Sequence, residues 1–87
     1  MVPMRFQRLD VECTPDSHGH LMPRSFIFSG RRHNVAEILD RWYEGGIPGR
    51  PPVSYFKVKT TDDGEFVLSY TTIFNAWAVL SIPGLLP

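Results

Sequence analysis

The sequence predicts a mainly β domain, a small antiparallel barrel or bent sheet of five or six strands, and three observations carry that expectation. Short segments of alternating apolar and polar residues recur along the chain, clusters of Gly, Asp, Ser and Pro separate them, and only residues 35–43 show helical spacing. With 87 residues and 9.9 kDa, the chain is read as one domain over 1–87, with 82–87 an irregular tail. Burial of about 64% of the unfolded chain's surface is enough for one small core. Hydrophobic residues at 43% and charged residues at 21% exclude a disordered or fibrous chain.

Taken in order, Leu9, Val11 and Cys13 alternate with Asp10 and Glu12, the pattern of a first strand. Phe26 and Phe28 alternate with Ser25 and Ile27, and a turn at Gly30 and Arg31 sets Val35 opposite Phe26 and His33 opposite Phe28. Two readings stay open for residues 35–43. Val35, Ile38, Leu39 and Trp42 follow the i, i+3, i+4, i+7 spacing of a short helix, with Asn34 as N-cap, Glu37 as its capping-box partner and Gly45 as the stop. A bulged, twisted strand burying Leu39 and Trp42 is the other reading. Loops rich in Pro and Gly follow from residues 14–23 and 44–53.

Parity governs the next hairpin. Phe56 and Val58 alternate with Tyr55, Lys57 and Lys59, and Phe66, Leu68 and Tyr70 alternate with Val67 and Ser69. A two-residue loop at Asp63 and Gly64 would put Leu68 opposite Lys59, mixing apolar and basic side chains on one face. A three-residue loop at 62–64 pairs Phe66 with Thr60, Leu68 with Val58 and Tyr70 with Phe56, with Gly64 in the left-handed position of a bulge. Trp77 and Val79 mark a last strand, and a free edge over 76–82 with the apolar tail behind it offers a homodimer contact between identical strands.

Gly30-Arg31, Val35, the run Ile38-Leu39-Asp40-Arg41-Trp42-Tyr43, then Tyr55-Phe56-Lys57-Val58, Asp63-Gly64, Leu68 and Trp77 resemble a family of short bacterial cytoplasmic proteins of unknown function. The resemblance covers roughly residues 24–80 and implies no catalytic residue. The chain departs from it at residues 71–75 and in its apolar end.

Nine Lys and Arg balance nine Asp and Glu, so no whole-molecule field draws nucleic acid or anionic membrane. Seven of the basic residues are Arg within the first fifty positions, leaving Lys57 and Lys59 beyond them. The single Cys13 forms no internal disulfide, and neither a secretory apolar segment nor a run of eighteen apolar residues occurs; a cytoplasmic protein with no membrane contact is expected.

Candidate chemistry is sparse. Cys13, Asp16, His18 and His20 lack the two separated ligand pairs of a structural zinc site, so no metal or cofactor is expected. Cys13 with His33 and Asp40 has no nucleophile scaffold, and Asp62-Asp63 before Gly64 are turn residues, so no enzyme is expected. Arg24, Arg31, Arg32 and His33 beside Phe26 and Phe28, with Lys57 and Lys59 beside Tyr55, give the mixture of cations and rings that tracks single-stranded nucleic acid. Trp42 and Tyr43 are residue types of protein-binding hot spots. The expected function is a non-catalytic cytoplasmic binding or adaptor module for a protein partner, with a nucleic-acid-binding accessory domain as the alternative.

Overall fold

The computed structural model describes residues 5–81 and shows six antiparallel strands: β1 (Arg5–Pro15), β2 (Leu21–Phe28), β3 (Arg31–Glu44), β4 (Val53–Thr60), β5 (Glu65–Thr71) and β6 (Ala76–Ser81). They form an up-and-down barrel in chain order that closes when β1 pairs with β6. Two strands serve both halves of the wall. The first part of β1 pairs with β6 from Arg5↔Ser81 to Leu9↔Trp77, and the second with β2 from Asp10↔Ile27 to Pro15↔Leu21. Similarly β3 pairs with β2 over residues 31–34 and with β4 over 35–44.

Alternation fills the interior. Leu9, Phe26, Phe56, Val58, Phe66, Leu68, Trp77 and Val79 form the buried cluster, with Val11, Cys13, Met22, Val35, Ile38 and Tyr70 packed on it. In β5 the other face is buried too, at Val67 and Ser69. Full burial of a Val, Leu or Phe side chain contributes about 1.5–3 kcal/mol, so this cluster is the main source of stability.

Residues 35–43 are strand throughout, and the helix reading is overturned. The register with β4 shifts twice, leaving Ala36 and Leu39 as extra residues. Each bulge stretches the inward spacing from two residues to three, so that Val35, Ile38 and Arg41 reproduce a helical interval on a pleated strand. Leu39 and Trp42, assigned to the core under either reading, lie on the outside, 39% and 41% exposed.

Both expected hairpins form, each with its register moved by two residues. Phe26 faces His33 and Phe28 faces Arg31 across the two-residue turn Ser29-Gly30, whose φ values of 54° and 73° are those of a type I′ turn. In the second hairpin Phe66 faces Val58, Leu68 faces Phe56 and Tyr70 faces Ser54. Its three-residue loop is 61–63, with Asp63 in the left-handed region at φ 65°. The expected left-handed Gly64 is therefore corrected. A glycine is required there because a Cβ would come within 2.9 Å of both Thr60 Oγ1 and Phe66 Cε1.

The free edge expected over 76–82 is also corrected across the described strand, because β6 is paired on both sides. Ile82 and the rest of the tail expected over 82–87 lie outside the described residues.

These two turn positions predict opposite responses. Gly64→Ala forces a methyl group against two buried side chains and lowers stability by about 1–3 kcal/mol. Asp63→Gly relieves a left-handed non-glycine residue and leaves stability equal or raises it by up to about 1 kcal/mol. Chemical denaturation of the two variants checks both signs; a harmless Gly64→Ala would refute the close packing of the turn.

Candidate functional site

The meander sends its connections to opposite ends. The turns 29–30 and 61–64 lie at one end, and the connections 16–20, 45–52 and 72–75 at the other, called here the turn end and the loop end.

Aromatic rings plug the turn end. His33, 9% exposed, stacks on Phe26 with centroids 5.3 Å apart and 20° between planes, and lies 4.9 Å from Phe66; Phe28 closes on Phe66 at 5.6 Å. His33 Nδ1 is 3.3 Å from Asp62 Oδ2 but is not aligned for a hydrogen bond. Asp62 also accepts a hydrogen bond from the buried Thr60 hydroxyl, which in turn accepts one from the Gly64 N–H at 3.0 Å. The Thr60 hydroxyl, against an opposing effect of burial and with help from the Asp62 backbone N–H and His33, holds the Asp62 carboxyl below the usual range. His33, expected at a binding surface, is thus a core residue.

Of the basic residues expected to share a face, Arg31, Arg32, Lys57 and Lys59 each have a carboxylate beside them, and Arg24 is exposed on β2 with no ion pair among the described residues. Arg31 lies on the turn-end rim, 3.5 Å from Asp62. Arg32 lies on the outer wall, 3.0 Å from Glu12 and also donating to Ser25 Oγ. Lys57 is 3.8 Å from Glu65 and Lys59 is 3.9 Å from Asp63. Exposed pairs of this kind contribute little stability, but they cancel the local field on which phosphate binding relies.

The loop end is different in character. Trp42 and Tyr55, adjacent across β3 and β4, stack on the outer wall at 5.3 Å and 11°. Burial, with Glu44 adding and Arg50 opposing, pushes the Tyr55 hydroxyl up. Tyr43 is 66% exposed near the start of the 45–52 connection, which carries the exposed Ile47. In the 72–75 turn, Asn75 is left-handed at φ 47° and accepts a hydrogen bond from the Tyr70 hydroxyl at 2.8 Å, presenting Ile73 and Phe74 at 65% and 67% exposure.

No family model, curated protein or solved structure matches the chain significantly.

Behind the aromatic rim the barrel opens into a pocket of about 470 Å³ lined by His20, Leu21, Arg41, Tyr43, Ser54, Phe56, Tyr70 and Thr72. Arg41 lies over the Phe56 ring at 5.5 Å, and its Nη1 is 3.9 Å from Asp16 Oδ2. Asp16 does not gather metal ligands: its Oδ1 accepts the His18 and His20 N–H groups at 2.8 and 2.9 Å. The His20 N–H, with burial opposing and the His18 N–H assisting, holds its carboxyl below the usual range.

Of the residues singled out from sequence, Trp42 and Tyr55 stack on the outer wall near the loop end and Tyr43 lines the pocket on the inner side, while Arg31, Arg32, His33, Lys57 and Lys59 do not join them. Arg41, Ile73 and Phe74 were missed. Two consecutive large apolar residues in a turn were a usable signal for Ile73 and Phe74; the bulges concealed Arg41.

The Asp62 cluster makes stability depend on pH with a definite sign. Because its folded pKa is depressed, the Asp62 contribution is complete above the unfolded carboxylate value and is lost as pH falls through the lower folded value. Asp62→Asn therefore lowers the melting temperature at about pH 7 and narrows the difference between about pH 7 and about pH 3. An unaltered pH profile of the melt would remove the Thr60–Asp62–His33 cluster from the stability account.

Proposed function

We propose that this protein is a non-catalytic binding module that takes a segment of a protein partner at the loop end of its barrel. The observation that carries the reading is the gathering of exposed apolar side chains: of seven large exposed hydrophobics among the described residues, Trp42, Tyr43, Ile47, Ile73 and Phe74 belong to that end, leaving Ile27 and Leu39 elsewhere. Rings held by neighbours are efficient anchors because little rotamer freedom remains to be lost on binding, and the Trp42–Tyr55 stack and the Asn75-fixed turn provide that order. The free thiol of Cys13 supports a cytoplasmic setting. Ion pairing of Arg31, Arg32, Lys57 and Lys59 disfavours the nucleic-acid reading.

A random-peptide display selection on the full chain tests the proposal. Peptides are expected whose binding falls at least tenfold with Tyr43→Ala or Phe74→Ser and is unchanged by Lys57→Glu with Lys59→Glu. Binding that ignores the loop-end variants, or salt-sensitive binding of oligonucleotides lost with the lysine variants, would overturn it.

A further inference from the structure

Along part of its length the barrel wall is not continuous. Pairing of β2 with β3 stops at Ser25↔Asn34; from there β2 continues beside β1 to Leu21, while β3 continues beside β4 to Glu44. The seam between them holds a depression of about 340 Å³ bordered by Met22, Arg24, Val35 and Ile38, and farther along the same two strands Leu21 and Arg41 line the separate loop-end pocket of about 470 Å³. Arg41 spans the seam from β3, its Nη1 3.4 Å from Met22 Sδ.

We propose that this pocket receives an acidic side chain of the protein partner, flanked in the partner by an apolar residue, with Arg41 as the group that binds the carboxylate. The inference rests on the loop-end binding reading and specifies its ligand. A strand of the partner does not fit the seam: Pro23 supplies no N–H, and the bulges at Ala36 and Leu39 break the regular spacing that an added strand would need. A side chain does fit. Leu21, Tyr43, Phe56 and Tyr70 line it beside the Arg41 guanidinium, whose carbon is 5.5 Å from the Phe56 ring centroid, and Ser54 and Thr72 contribute hydroxyls.

Charge complementarity selects an anion. The one carboxylate within ion-pair distance of the Arg41 guanidinium among the described residues is Asp16, and it is a loose partner: 3.9 Å distant, with its other oxygen engaged by two backbone N–H groups. The guanidinium therefore retains donors for a closer, two-pronged contact of the kind Arg makes with carboxylates. Asp16 also competes with the ligand. Removing its charge while keeping the oxygen that orders the 16–20 connection should strengthen binding, a response that a merely structural Arg41–Asp16 pair would not give.

The test uses the full chain and synthetic peptides taken from the display selection. Selected peptides are expected to carry Asp or Glu next to an aromatic or aliphatic residue. Replacing that acid by its amide, or Arg41 by Gln in the protein, weakens binding at least tenfold, about 1.4 kcal/mol. Arg41→Lys restores part of the loss, and Asp16→Asn tightens binding severalfold. Amide backbone resonances of Tyr43, Ser54 and Thr72 report where the peptide sits and whether each variant remains folded. Peptides that bind the loop end with no acidic preference, or with the same affinity for Arg41→Gln, overturn the carboxylate site and leave the loop-end reading standing. Peptides that perturb none of these resonances overturn both.

Discussion

Closure through two shared strands is the constraint on which the rest of the structure depends. A six-stranded meander has two exposed edges, and here β1 joins them by giving its first half to β6 and its second to β2. A straight strand cannot remain in register with neighbours running in such different directions. The bend is accommodated where pairing shifts: Arg24 is extra on β2, and Ala36 and Leu39 are extra on β3. These irregularities are part of closure, and they determine which side chains reach the interior on either side of the bend.

The sequence disclosed faces more readily than registers. Apolar alternation marked five of the strands and left residues 35–43 open between helix and bulged strand, and in both hairpins it placed the right residues inward. A slip of two residues preserves every face, however, so alternation could not distinguish Phe66 opposite Thr60 from Phe66 opposite Val58. Turn geometry decides between them, and it rests on Ser29 and Asp63 adopting left-handed conformations, the first together with Gly30 and the second in place of Gly64. The helical spacing at Val35 and Ile38 was real, but its cause was an inserted residue per interval on a strand. Charge was less legible still. Arg32 meets Glu12 across twenty positions of sequence, and Lys57 meets Glu65 across a hairpin, so a composition that suggested a basic face folded into separate ion pairs.

The two ends divide the work between stability and recognition. At the turn end, Phe26, Phe28, His33 and Phe66 fill the cross-section, and Thr60, Asp62 and Gly64 join the tight turn to that plug. Few positions there can change without disturbing the core. At the loop end Phe56 and Trp77, with centroids 5.6 Å apart, lie deeper, and the connections beyond them leave the mouth open. Binding residues are commonly carried by loops on a rigid support, and the buried plug at the opposite end supplies that rigidity.

The second bulge of β3 has the largest chemical consequence. Ile38 faces inward opposite Val58; on an unbroken pleat the next inward residue would be Asp40, and Arg41 would point to solvent. With Leu39 inserted, Asp40 pairs with Lys57 on the outer wall and Arg41 with Phe56 on the inner one. A single extra residue thereby exchanges an anion for a cation at the mouth. The same insertion that allows β3 to bend around the barrel thus sets the sign of the charge a ligand meets there.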